Sequence, residues 1–332
     1  MKNRIFSVLT AAVMGISFIK ANNVSAADQQ CSGTKDGYDW EFWNRYGYGT
    51  VSMEPGSNGT FSCSWSDVEE CYFYSGKRLG GTKPWYIYCM MSIDYDVDFK
   101  PDGNSYMCVY GWTENPTVEY YIVEAWGTWR PPGQQESIGT VSSDGKLYDI
   151  YTLTRYDQPS IHGTETFEQY WSVNRTNPAE AYKEKNIQGT VTVTNHFEQW
   201  EKCGLSTGCM FGVSLGIDGY HSSGNANVKK NILKWGCSDS DPNTGASGNS
   251  DVDKKMPLFG DVNEDGIVDL TDLSILSVYL MGGKSLTSSQ RLNADVQYDG
   301  EVDIADLALF KQYICKDPDI SELGKGYSQT NE

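Results

Sequence analysis

From about residue 36 to 235, polar positions alternate with apolar or aromatic ones in short runs, and Gly, Asn, Asp and Pro break the runs at regular intervals. Examples are YMCVYGW (106–112), TVEYYIVEAW (117–126), LYDIYTLTRY (147–156), TFEQYWSV (166–173), GTVTVTNH (189–196) and GVSLGIDGY (212–220). A period of two sends successive side chains to opposite faces of a strand. The pattern therefore predicts antiparallel strands stacked as two packed sheets, a sandwich or jelly roll. TNHFEQWEKC, at 194–203, is the one stretch that reads as a helix in this region.

The flanks differ in character. Lys2 and Arg4 precede an apolar run from Ile5 to Ile19, followed by small residues at Val24 and Ala26. That order is expected of a secretory leader, residues 1–26, cut after Ala26. The run is too short to span a membrane, and no other run reaches the needed length. Residues 236–257 are rich in Ser, Gly, Asp and Asn without periodicity and read as a linker between a 27–235 domain and a 258–332 module. A net charge of -18 argues against nucleic acid and anionic membrane surfaces as partners. The nine cysteines are an odd number, so they cannot all pair within the chain; Cys203 and Cys209 are close enough to bridge a loop. No CxxC pair and no histidine cluster marks a zinc site.

Beyond the linker an acidic loop occurs twice, in repeats at about 260–283 and 294–317: GDVNEDGIVDLTDL and, 34 residues on, ADVQYDGEVDIADL. With Asp261 as position 1, oxygen side chains fall at 3 (Asn263), 5 (Asp265), 9 (Asp269) and 12 (Asp272). Gly266 supplies the sharp turn at position 6, and Ile267 offers its carbonyl at 7. The second copy places Asp295, Gln297, Asp299, Glu301 (carbonyl), Asp303 and Asp306 in the same order. Hard oxygen donors at this spacing form a twelve-residue calcium loop, so two Ca2+ ions are expected. Gln297, longer than Asn263, points to a weaker or distorted second site. Leu273, Leu276 and Leu280 share a helix face after the first loop; Leu307, Phe310 and Ile314 repeat it. No entering helix is expected before either loop. Paired half EF-hands closing on Asp at position 12 resemble a dockerin domain. The resemblance implies a calcium-folded module that docks on a cohesin domain of a scaffold protein, with Leu270, Thr271, Ile304 and Ala305 helping to select the partner.

In PTVEYYIVEAWGTWRP, alternation puts Glu119 and Tyr121 on one face, opposite Val118, Tyr120 and Ile122. In VSLGIDGYHSSG, Asp218 and Tyr220 share the face opposite Val213, Leu215 and Ile217. Two carboxylates on an aromatic-lined sheet are the equipment of glycoside hydrolysis, one as nucleophile or base and one as acid. Alternation alone leaves open whether the two strands meet.

YGWTENPTVEYYIVEAWGTWRPPG, YDIYTLTRYDQPSIHGTETFEQYWSV and DGYHSSGNANV resemble, in order over about 37–235, glycoside hydrolase family eleven, the compact endo-1,4-beta-xylanases. The resemblance implies a jelly roll with xylan in its cleft, retention of anomeric configuration and no catalytic cofactor. It implies Glu119 as nucleophile, Asp218 as acid/base, Trp43 as a sugar-stacking ring, and Tyr110, Tyr121, Arg155 and Gln169 as groups that hold sugar or nucleophile. Pro159 and Ile161 would lie over the cleft at the tip of a thumb hairpin. The picture is of a secreted enzyme held on a scaffold at the cell surface.

Two departures stand out. The family's acid/base is Glu, whereas this chain has Asp218; losing a methylene withdraws the carboxyl by roughly 1 Å from a retaining separation of about 5–5.5 Å, and such misplacement can lower the rate on the order of 100-fold. Ser64, in FSCSWSD, falls where the family is expected to carry an Asn or Asp bonded to the acid. Either the two changes compensate, or the domain is a weakened, xylan-binding relative. Trp129 replaces a Tyr and keeps a stacking surface.

Overall fold

The computed structural model describes residues 28–178, 186–236 and 257–325. The leader expected at 1–26 and positions 237–256 of the linker lie outside the described residues. Eleven strands follow in order: β1 (Gln29–Lys35), β2 (Tyr38–Asn44), β3 (Thr50–Pro55), β4 (Phe61–Arg78), β5 (Met90–Glu114), β6 (Val118–Trp126), β7 (Gly139–Ser143), β8 (Lys146–Ser160), β9 (Gly163–Asn174), β10 (Ile187–Thr192) and β11 (Cys209–Gly236). Helix α1 (Val193–Lys202) precedes β11, one residue earlier than the sequence suggests, and buries Phe197 and Trp200.

The expected two antiparallel sheets are joined into one. Hydrogen bonding runs β1-β2-β4-β11-β5-β6-β9-β8-β7, with β3 on β4 and β10 on β5. The join follows from strand length. β5 spans 25 residues; its first part pairs with β10 and its second with β6. β11 spans 28 residues and pairs along its length with both β4 and β5. Such strands leave one layer and enter the other, bending at bulges near Met210, Tyr220 and Val228. β6 and β9 form the parallel pair in an otherwise antiparallel sheet. The result is a β-jelly roll. Its core is closed by Met107, Val109, Tyr120, Ile122, Leu215 and Ile217 from the inward faces of β5, β6 and β11. Their neighbours one residue away point into the opposite, concave side, as a strand's pleat requires.

The bridge suggested for Cys203 and Cys209 is absent: both are free, as are Cys31, Cys63, Cys71, Cys108 and Cys315. Cys203 ends α1, where its Sγ accepts from Gln199, while Cys209 starts β11 opposite Glu114. Closeness in sequence did not bring the two sulfurs into bonding geometry. Cys89 is disulfide-bonded.

The C-terminal module holds α2 (Leu270–Leu280), α3 (Ser288–Ala294) and α4 (Ile304–Ile314). Leu276 and Phe310 are buried with Val262, Leu286, Ala294 and Val296, and Leu273, Leu280, Leu307 and Ile314 pack against them. The helix faces read from the sequence are therefore the core faces. α3 corrects the expectation that no helix enters either loop. It ends at the first residue before the second loop, and its start is fixed by Thr287 and Gln290, which cap each other's backbone amides.

Candidate active site

Strand register brings the two carboxylates to one cleft. Glu119 on β6 lies opposite Trp112 of β5 and beside Gln169 of β9. Asp218 on β11 lies opposite Tyr106 of β5 and Tyr72 of β4. β5 thus separates the acids by one strand, and both line a cleft of about 480 Å³. Trp43, Tyr110, Tyr121, Arg155, Pro159, Ile161 and Gln169 line it as well. Rings form a continuous floor. Trp43 lies 5.4 Å from Tyr72, Tyr72 lies 6.1 Å from Tyr110, Tyr110 lies 5.0 Å from Tyr121, and Tyr121 stacks on Trp171 at 4.0 Å. Flat apolar faces of this kind suit the hydrophobic faces of sugar rings.

Glu119 is held from three sides. Tyr110 and Tyr121 each donate a hydroxyl to Oε1 at 2.9 Å, and Gln169 Nε2 donates to Oε2. Trp112 Nε1 in turn donates to the Tyr110 hydroxyl at 2.7 Å, fixing its orientation. Burial pushes the Glu119 carboxyl up, while the three donors and the Arg155 charge pull it down. Among the described residues Arg155 Nε is buried without a hydrogen-bond partner.

Asp218 sits in the opposite electrostatic setting. Burial, then the charges of Glu70 and Glu119, raise it well above the usual carboxylate range; a hydrogen bond with Tyr106 is the one opposing influence. A carboxyl in such surroundings keeps its proton and can act as an acid.

Two expected residues fall elsewhere. Ser64 is exposed on β4, faces Asn225, and shares a hydrogen bond with Ser52 at 3.0 Å. Asp218 is paired with Tyr72, so its same-strand-pair neighbours lie near position 70, six residues beyond Ser64. The residue there is Glu70, which lines the cleft and pairs with Arg45 Nη1 at 2.7 Å. Tyr220 is 45% exposed, packs edge-on against His221 at 4.2 Å, and does not line the cleft. Its register on β4 and β5 is continuous with that of Asp218, so it keeps the same face of β11, but it stands beyond the end of the cleft.

The sequence reading also missed Glu41. Its buried carboxylate accepts from Tyr74 at 2.6 Å, Tyr72 at 3.1 Å and Arg78 Nη2 at 3.0 Å. It braces the rings that floor the cleft. Its signal was available, since EFW alternates like the strands around it.

The thumb is the β8–β9 hairpin. Pro159 pairs with Thr164, and Gln158, Pro159, Ser160 and Ile161 overhang the cleft. At its tip His162 Nε2 stands 3.7 Å from Glu114 Oε1 at the end of β5.

The two acidic loops have matching folds. Asp261 accepts the amides of Asp265 and Gly266 at 3.0 and 2.9 Å; Asp295 accepts those of Asp299 and Gly300 at 3.1 and 2.9 Å. Asp272 and Asp306 each reach back to two loop amides, and Asp269 and Asp303 cap α2 and α4. Gly266 and Gly300 stand at φ of 86° and 94°, where a side chain would be strained. Among the described residues no three Asp, Glu, His or Cys side chains form a closed cage. A ligand set here would therefore also draw on Asn263, Gln297 and the Ile267 and Glu301 carbonyls. The fit to a hard cation comes from burial: Asp261, Asp272, Asp295 and Asp306 are buried, and none forms an ion pair among the described residues. Burial and the neighbouring Asp306 and Asp299 charges push Asp295 up to about 7. A divalent ion would relieve that repulsion.

Comparison with known proteins agrees with this geometry. The model of glycosyl hydrolases family 11 matches residues 35–229, and that of the dockerin type I domain matches residues 259–315. The chain is 44% identical over 201 residues to an endo-1,4-beta-xylanase A of Bacillus pumilus, covering 60% of this chain and 83% of that protein. It is 46% identical over 255 residues to a bifunctional endo-1,4-beta-xylanase of Ruminococcus flavefaciens, covering 75% of this chain and 26% of that one. It spans between 26% and 38% of the length of five such relatives. The solved family 11 xylanase of Neocallimastix patriciarum superposes with a TM-score of 0.57 at 33% identity, over 62% of this chain and 95% of that one. Fold, cleft and matched residues together place the chain in glycosyl hydrolase family 11, with a type I dockerin domain behind the hydrolase domain.

Proposed function

We propose that the protein is an endo-1,4-beta-xylanase that retains anomeric configuration and is carried on a scaffold by its dockerin. The observation that supports this most is the opposed setting of the two acids in one aromatic cleft. Xylan would lie along Trp43, Tyr72 and Tyr110. Glu119 attacks the anomeric carbon while Asp218 gives its proton to the departing glycosidic oxygen. The bond to that oxygen breaks as the Glu119 ester forms. Asp218, now a carboxylate, then takes a proton from water as the water displaces Glu119. Tyr110, Tyr121 and Gln169 hold Glu119 in line, and Arg155 offers a donor to the sugar. Pro159 and Ile161 cover the substrate.

In the dockerin, Asp261, Asn263, Asp265, Ile267, Asp269 and Asp272 would hold one calcium ion, and Asp295, Gln297, Asp299, Glu301, Asp303 and Asp306 a second. Calcium here is structural, a charge that lets the buried aspartates share one loop. Leu270 and Ile304 are 64% and 70% exposed, which suits a cohesin partner. Residues 1–26 would direct secretion, consistent with work on an external polymer.

The test is reducing-sugar release from xylan by the protein and by Asp218→Glu. Activity in the natural chain supports the reading. An inert natural chain revived by Asp218→Glu would show a binding domain that has lost turnover.

A further inference from the structure

The dockerin does not stand clear of the hydrolase domain. Residues Trp85–Tyr88 form a single 3-10 turn ahead of β5, and the second calcium loop is seated on it. The Tyr86 hydroxyl donates to the Gly300 carbonyl at 2.8 Å. A Cβ at Gly300 would come within 2.9 Å of Pro84 Cδ, so the seat admits only glycine at this point of the loop. On the helix before this loop, Arg291 of α3 pairs with Glu201 of α1 at 2.5 Å, with side chains only 17% and 16% exposed. The Arg291 guanidinium also lies 5.8 Å over the Tyr86 ring. Glu201 is fixed from behind by Trp85 Nε1 at 2.9 Å. Leu292 is buried in the jelly-roll core cluster, and Phe259 and Tyr298 pack against the same cluster. Among the described residues no hydrogen bond or ion pair ties the first loop, Asp261–Asp272, to the jelly roll in this way.

We propose that this seat makes calcium in the second loop a stabiliser of the hydrolase domain. Of the residues that touch the jelly roll, Arg291, Leu292, Tyr298 and Gly300 lie on the helix entering that loop and within the loop itself, and Phe259, ahead of the first loop, packs edge-on against Tyr298 at 5.7 Å. Asp295 and Asp306 are both buried in this loop and neither forms an ion pair among the described residues, so the loop needs a cation to hold its shape. With the loop ordered, Leu292 and Arg291 cover the Trp85 turn and the end of α1. With the loop open, that apolar surface and Glu201 return to water. Anything that binds only the folded arrangement stabilises it by mass action. The seat extends that gain from a small module to the domain it rests on, whatever sugar the cleft hydrolyses.

The test uses the full chain in calcium and in EDTA. Loss of near-ultraviolet circular dichroism reports the tryptophan-rich jelly roll, and hydrogen exchange reports residues 84–88. Calcium is expected to raise the jelly-roll transition by about 5 °C and to slow exchange at 84–88. A Tyr86→Phe, Arg291→Ala double variant is expected to lose at least about half of that shift, while calcium still protects the amides of α2 and α4. Equal jelly-roll transitions in calcium and EDTA overturn the proposal, as does a full shift surviving in the double variant. Should the double variant fold poorly, exchange at 84–88 in the natural chain decides alone: protection indifferent to calcium refutes the coupling. Xylan hydrolysis by the same calcium-loaded sample keeps this result separate from the assignment of the cleft.

Discussion

Glu119 and Asp218 face one cleft from either side of β5, yet their surroundings differ in kind. Glu119 is surrounded by donors: two tyrosine hydroxyls, a glutamine amide and the field of Arg155. Asp218 is surrounded by other acids, Glu70 and Glu119, with Tyr106 alone in opposition. Glu119 is buried and Asp218 half-buried in the cleft, and desolvation raises both. The donors around Glu119 favour its anion; the acids around Asp218 favour its proton. The division of labour proposed for Glu119 as nucleophile and Asp218 as acid would therefore lie in the neighbours rather than in the two carboxyl groups.

The contrast can be broken outright at Glu119. Glu119→Gln removes the attacking oxygen and is expected to lower kcat on xylan by about 10⁴-fold or more; a residual rate near that of the natural chain would remove Glu119 from the role. Asp218→Asn should cost about 10²–10⁴-fold through loss of proton transfer. It should also raise the melting temperature at neutral pH. The folded-state pKa of Asp218 is raised, so its stability contribution is complete below the unfolded value and is lost as pH rises through the folded value. Asparagine has no such loss, and a melting temperature unchanged or lowered near pH 7 would contradict the raised pKa. Glu70→Gln sharpens the comparison further. Removing the like charge lowers the pKa of Asp218, so the alkaline limb of kcat/KM should move to lower pH, with a smaller effect at the optimum. Tyr106→Phe, the smallest change, removes the opposing hydrogen bond and should shift the same limb the other way. Opposite shifts from these two variants are the signature; parallel shifts would show that neither acts through Asp218.

Much of the site could be read from alternation. Period two placed Glu119 with Tyr121 and Asp218 with a small-residue face, and these positions line the cleft. The partner of Asp218 could not be read that way. Register between β4 and β11 joins residues about 150 apart, and a bulge between Ser222 and Gly224 resets the count. Ser64 follows from laying FSCSWSD against the resembled family, whereas the neighbour of Asp218 is decided by the pairing of β11 with β4. Tyr220 keeps the face of Asp218 but stands beyond the end of the cleft, a limit that alternation does not mark. The two acidic loops were legible because the oxygen side chains proposed to hold an ion are contiguous in each. Helix α3 was not, since seven residues give little periodicity and its Thr287 cap declares itself only once folded.

β11 also bears on how the domain is assembled. β4 and β5 are neighbours in sequence but do not pair with each other; each pairs with β11, the last strand, inserted between them. Until residues 209–236 arrive, the sheet exists as two separated halves with an open slot, and Asp218 belongs to neither. Closing that slot requires contacts of very long sequence separation, the slow kind. A ribosome making this chain therefore exposes most of the jelly roll before the strand that closes its sheet and carries Asp218 has emerged.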